Sequence, residues 1–170
     1  MQAKIFTVSA LVIATLIGCS GKDGGSAGGG DMLSFVKTQD GSPLEIKAEL
    51  FDTPHAKEFS KTGKNPYIGN AEAIAAGKKL FQLYSCTQCH GGDAQGQTGP
   101  SLHGPDFKYA KDATNKGMFE TIWNGTNGGM GAKGKGVMDP SDPNNGLTPD
   151  EILKIQAWVR SHNDQLTGNE

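Results

Sequence analysis

Apolar residues recur at helical spacing in three stretches of the C-terminal part of this 170-residue chain. From Asn70 to Tyr84, Ile74, Gly77 and Phe81 share one stripe, with Asn70 placed to cap the first turn. A glycine inside a helix costs about 1 kcal/mol relative to alanine, so Gly77 predicts a close crossing by a second helix. The second stretch runs from Asn115 to Asn124, with Met118, Phe119 and Ile122 apolar and Gly125 as a C-terminal stop. The third begins at Thr148-Pro149-Asp150-Glu151, a capping box with proline at the first helical position. Ile152, Ile155, Trp158 and Val159 then supply its buried face, and these large side chains are read as core. Residues 32–66 carry a weaker pattern, in which Asp40-Gly41 predicts a turn between short extended pieces.

Two N-terminal stretches have no such periodicity. Lys4 is followed by an apolar run that ends at Ile17, the layout of an export signal over residues 1–18 and too short for a comfortable membrane span. The run closes as Leu16-Ile17-Gly18-Cys19, which resembles the lipobox of bacterial lipoproteins, so Cys19 is expected to carry lipid. Residues 19–31 then form a tether: Gly21 to Gly30 read GKDGGSAGGG, with no side chain to offset the entropy of ordering. Such an arrangement would hold a periplasmic domain at a membrane surface. A cleaved signal with Cys19 as an ordinary thiol is the simpler alternative.

The charge is modest, 16 basic against 18 acidic residues, and loss of Lys4 with the signal leaves 15 against 18. Neither that balance nor any lysine and arginine cluster suits phosphate neutralisation, so nucleic acid is excluded as a partner. What remains is enough for one small domain, expected as an extension over 32–66 and a helical domain over 67–165.

With Cys19 assigned to lipid, two of the three cysteines remain, in Cys86-Thr87-Gln88-Cys89-His90. C-x-x-C-H is the attachment signal of c-type haem: each thiol adds across one vinyl group, and the adjacent histidine lies under the iron. A dithiol redox pair needs no histidine there and sits in a βαβ context that is absent here. A zinc site needs two more ligands, for which His103 is the one nearby candidate.

The order of a glycine-bearing helix, CTQCH, Gly99-Pro100-Ser101-Leu102-His103-Gly104, a loop methionine and a last helix with Trp158 resembles the class I cytochromes c. Further matches resemble the cytochrome cL group, electron acceptors of periplasmic quinoprotein methanol dehydrogenases. They are Asp52-Thr53-Pro54, Lys57-Glu58-Phe59, Thr62-Gly63, Asn65-Pro66-Tyr67, Gly69-Asn70, Gly117-Met118-Phe119-Glu120-Thr121-Ile122 and Asn127-Gly128-Gly129-Met130-Gly131. The resemblance implies an all-α fold of three main helices around one covalent haem c. It implies thioether bonds at Cys86 and Cys89, His90 as proximal iron ligand, and the Pro100 carbonyl on that histidine's other nitrogen. His103 becomes a structural residue.

For the distal ligand the resemblance favours Met130, while Met138 lies at the spacing from the last helix found in small cytochromes. A thioether there suits an electron carrier. The stretch Asp139-Pro140-Ser141-Asp142-Pro143-Asn144-Asn145 departs from the family, and a solvated turn explains it as well as a calcium loop does. The implied function is a carrier rather than an enzyme, with a quinoprotein dehydrogenase as donor and a cytochrome or oxidase as acceptor. The alternatives are service to a different dehydrogenase or oxidase, and a haem enzyme or sensor with a labile distal position.

Overall fold

The structure, a computed structural model, describes residues 32–163 together with 166 and 168. The expected signal over 1–18, the tether over 19–31 and Cys19 lie outside the described residues. The described part contains five α-helices, one two-stranded sheet and two short 3-10 turns, Ala48–Leu50 and Ala110–Ala113: β1 (Phe35–Val36), β2 (Pro43–Leu44), α1 (Pro54–Thr62), α2 (Ala71–Leu83), α3 (Thr87–His90), α4 (Asn115–Asn124) and α5 (Pro149–Arg160). The three main helices expected from the sequence are α2, α4 and α5, to which α1, α3 and the small sheet are added.

Local chemistry sets the helix ends. The Asn70 side chain accepts from Ala73 N–H at 2.9 Å to open α2. Thr114 accepts from Gly117 N–H at 3.0 Å to open α4. At α5 the capping box is complete, with Glu151 accepting from Thr148 N–H at 2.8 Å and Thr148 accepting in return from Glu151 N–H. Gly125 ends α4 with a positive φ of 75°, its N–H bonded to Thr121 O.

Helices α2 and α5 cross at Gly77. A Cβ there would overlap the Lys154 carbonyl, so the glycine costs helix propensity and permits the contact expected of it. Phe81 of α2 and Trp158 of α5 then meet at 4.6 Å between ring centroids, on the side that faces His90.

The 32–66 segment is more ordered than its sequence pattern suggests. β1 and β2 pair antiparallel around the Asp40-Gly41 turn, as expected. Helix α1 was not expected, although Thr53 caps it, Pro54 occupies its first position and Gly63 ends it at φ 72°. Phe35, Phe51 and Phe59 from this segment surround Phe119 of α4, with Phe59 at 4.8 Å, so the extension and the helical domain share one core. The extension also bonds along α4 and beyond it: Val36 N–H donates to buried Glu120, the Thr38 and Thr121 hydroxyls lie 3.0 Å apart, and Gln39 exchanges side-chain bonds with Asn124. No helix among the described residues is long and apolar enough to cross a membrane.

Candidate haem site

The end of α2 aims the first cysteine. Ser85 takes a left-handed φ of 59°, its N–H bonds to Gln82 O at 3.1 Å, and Cys86 N–H reaches back to Phe81 O at 3.0 Å. This double closure is a Schellman motif with serine where glycine is usual, and it turns the chain from α2 straight into α3. His90 N–H then bonds to Cys86 O at 2.9 Å. Cys86, Cys89 and His90 therefore sit on one side of a single helical turn. Cys86 is half-buried, Cys89 exposed and His90 buried; the two cysteines are free thiols. Burial pushes the Cys86 thiol up despite nearby Lys133, which keeps it protonated and a poor disulfide partner.

The following loop is tied back to the same turn. Gly96 N–H donates to His90 O at 2.7 Å and Gly99 N–H to Cys89 O at 2.8 Å. Gly99 lies against the imidazole, where a Cβ would come within 3.2 Å of His90 Cε1. These bonds bring Pro100 O to 2.8 Å from His90 Nδ1. Since a carbonyl accepts only, Nδ1 carries the proton and Nε2 keeps its lone pair for a metal.

Two adjoining hollows meet at His90. The larger, about 750 Å³ including its open mouth, has Cys89, Pro100, Tyr109 and Met130 among its walls. The smaller, about 500 Å³, lies deeper against Cys86, Phe81, Met118, Ile155 and Val159. His90, Leu102, Asp112, Thr121 and Met130 line both. A cleft with two thiols at one margin, an oriented imidazole with a free Nε2, a thioether and aliphatic or aromatic walls has the donor set and polarity of an iron–porphyrin site.

The structure separates the two loop methionines. Met130 lines both hollows with His90. Met138 instead lies with Leu83, Tyr84, Ser85 and Asn145 on a different surface. His103 is absent from both linings; its Nε2 lies 2.6 Å from Asp93 O and its ring stacks on His162 at 4.8 Å. No cluster of three or more histidine, cysteine or acidic side chains occurs among the described residues, so zinc finds no ligand set there. In the inserted stretch, Asp139 accepts from Ser141 N–H and Oγ, and Asp142 accepts from Asn144 N–H. Both carboxylates therefore close exposed turns of their own loop.

The places of Asp112 and Thr121 in the cleft wall escaped the sequence reading. Nothing in Ala110-Lys111-Asp112-Ala113 marks a buried acid, because its burial comes from α4 and α5, which are distant in sequence.

A family model described as cytochrome c matches residues 74–163. Cytochrome c-L of Methylorubrum extorquens is 40% identical over 129 residues, which cover 74% of this chain and 60% of that protein. The match thus spans less than two thirds of that relative's length. The CcoP subunit of a cbb3-type cytochrome c oxidase from Rubrivivax gelatinosus is 37% identical over 114 residues, 66% of this chain and 36% of that one. Among solved structures, cytochrome cL of Methylophaga aminisulfidivorans superposes with a TM-score of 0.64 at 40% identity, covering 76% of this chain and 79% of that chain. Cytochrome cL of Hyphomicrobium denitrificans gives 0.64 at 36% identity, covering 76% and 73%.

Proposed function

The chain belongs to the cytochrome c family, and from that premise we propose that it is a periplasmic carrier taking one electron at a time from a quinoprotein methanol or alcohol dehydrogenase and passing it to a downstream cytochrome or oxidase. The family's cofactor is a covalently bound haem c, which when bound supplies one-electron exchange between ferric and ferrous iron. In this reading Cys86 and Cys89 would hold the ring by thioethers, and His90 Nε2 and Met130 sulfur would be the two protein ligands of its iron. The single observation that carries it is the placement of His90 and Met130 in the walls of the same two hollows, with Pro100 O bonded to His90 Nδ1.

The residues divide the work. The Pro100 carbonyl fixes the tautomer and orientation of His90. Phe81, Leu102, Met118, Ile155 and Val159 keep water from the deep side. Cys89 reaches the surface, so the covalent margin is where a partner approaches most closely. Docking there must be small and short-lived, since a carrier has to leave after each electron. Cys19 is the expected lipid anchor, and Cys19→Ala should move the protein from membranes to the soluble periplasmic fraction.

The test of function is to mix the oxidised protein with purified quinoprotein dehydrogenase and alcohol and follow reduction of the haem. Reduction that requires both, at a rate above that given by free mediators, is expected. Absence of reduction by any quinoprotein alcohol dehydrogenase, with reduction by another class of donor, would replace the partner.

A further inference from the structure

Asp112 is the sole carboxyl among the described residues that line the two hollows, and it lines both. It is buried at 8% exposure, and its Oδ1 accepts from Thr121 Oγ1 at 2.7 Å. Thr121 lies 3.0 Å from the Thr38 hydroxyl. A hydroxyl has one proton; Thr121 gives its own to Asp112, so Thr38 must donate to Thr121. The two hydroxyls form a polarised chain that starts at half-exposed Thr38 on the extension and ends on the carboxylate in the cleft.

We infer that Asp112 is a proton-binding site coupled to the electron, filled through the Thr38 and Thr121 hydroxyls when the haem is reduced and emptied when it is oxidised. The inference rests on the reading that haem occupies this cleft. With haem bound, the group would take up the one electron that a donor loses, and the Asp112 carboxylate would gain one proton that comes from water. An O–H bond forms on Asp112 as the Thr121 O–H breaks; Thr38 reprotonates Thr121, and a solvent proton restores Thr38. On oxidation by the acceptor the electron and proton leave in the reverse direction.

The surroundings poise this carboxyl for the task. Burial pushes it up to about 6, against the bond from Thr121 and the charges of Lys111 and Arg160, while Glu120 pushes with burial. From its own turn it is faced by Lys111, with Lys108 and Tyr109 on the cleft wall just before it. From α4 comes Glu120, paired with Lys111 and Lys116, and from α5 comes Arg160, whose Nη2 donates to the Asp112 backbone carbonyl at 2.6 Å. His90, Lys133 and the thiols of Cys86 and Cys89, which thioether bonds would take out of titration, complete the titratable groups of the two walls among the described residues. A unit negative charge added within roughly 10 Å, at an effective dielectric near 20, raises proton affinity on the order of tenfold.

The experiment is an equilibrium redox titration of the haem-loaded protein with small mediators between pH 5 and 9, which needs no dehydrogenase and so stands apart from the donor assay. The parent should favour reduction about tenfold less above about pH 7 than below about pH 6 and level off on either side, a fall of ~59 mV in all for one electron. Asp112→Asn should be flat over the same window. Thr121→Val removes a bond that favours the carboxylate, so the break in its curve should move to higher pH. Reduced-minus-oxidised infrared spectra of the parent should show a protonated carboxyl band on reduction, which Asp112→Asn lacks. Should Asp112→Asn fail to take up haem, the parent spectrum and the Thr121→Val curve still decide. A pH-independent parent, an Asp112→Asn curve that keeps the parent's slope, or an infrared difference without the carboxyl band would overturn the assignment.

Discussion

The α carbon of Gly77 lies against the Lys154 carbonyl so closely that no side chain can stand between them. This contact sets the α2–α5 crossing, which in turn brings Phe81 and Trp158 together beside His90. Gly77→Ala gains helix propensity, about 1 kcal/mol, but forces two backbones apart. The net expectation is a loss of about 3 kcal/mol, read as a lower urea midpoint with an unchanged slope. A variant as stable as the parent would mean that the crossing yields freely.

Gly77 also shows what the sequence can disclose. A glycine on an apolar helical stripe announces a close neighbour, although the neighbour's identity is a property of the fold. The α5 capping box was legible because its two partners are three residues apart. Helix α1 has comparable end signals in Thr53-Pro54 and Gly63, yet its nine residues bury only Ala56, Phe59 and Ser60, too short a stripe to stand out. The methionines were ambiguous because spacing along a loop does not say which sulfur faces a cleft; the closure of Thr126 N–H on Met130 O does bear on it. Asp112 was not legible at all, since α4 and α5, both distant in sequence, bury it.

With Met130 as the distal ligand, Met130→Ala should abolish the weak sulfur-to-iron charge-transfer band of the oxidised protein and lower its potential, because the thioether favours ferrous iron. Met138→Ala should keep the band, and this half-buried side chain should cost no more than about 1 to 2 kcal/mol. An optical spectrum and a redox titration of both variants give the answer. Loss of the band in Met138→Ala instead would transfer the role.

Asp150 ties the extension to α5. It accepts from Thr53 Oγ1 at 2.7 Å and Tyr67 OH at 2.8 Å, and pairs with Lys154 at 2.7 Å. Burial pushes its carboxyl up, but the bonds from Lys154, Thr53 and Tyr67 together outweigh it and leave the group lowered from 3.8. Burial, the bond to Asp150 and its charge push Tyr67 up to about 12. The stability due to Asp150 is therefore complete above about pH 4 and is lost as pH falls through its lowered value. That due to the Tyr67 proton is complete below about pH 10 and is lost toward pH 12. Asp150→Asn should lose most of its disadvantage against the parent in strong acid, and Tyr67→Phe should flatten the alkaline limb. Urea midpoints across the pH range check both, and parallel curves for parent and variants would contradict the linkage.

Gln39 reaches from the extension to the loop that carries Met130. Its Nε2 donates to Asn124 O at 2.6 Å, its Oε1 accepts from Asn124 Nδ2 at 2.8 Å, and its backbone carbonyl accepts from Asn127 Nδ2 at 2.9 Å. Gln39→Ala removes the first two bonds and keeps the third, so the end of α4 and the following loop lose about 1 to 2 kcal/mol of support while the rest of the core is untouched. A methionine ligand held by a looser loop is displaced more readily by an added ligand. Imidazole should therefore bleach the charge-transfer band of Gln39→Ala at a concentration on the order of tenfold lower than in the parent, the equivalent of about 1.4 kcal/mol. Gln39→Glu is the control: its carboxylate still accepts from Asn124 Nδ2 but cannot donate to Asn124 O, so its displacement curve should fall between the two. If imidazole acts equally on all three proteins, the extension does not brace the Met130 loop, and its contribution ends at the shared core of Phe35, Phe51, Phe59 and Phe119.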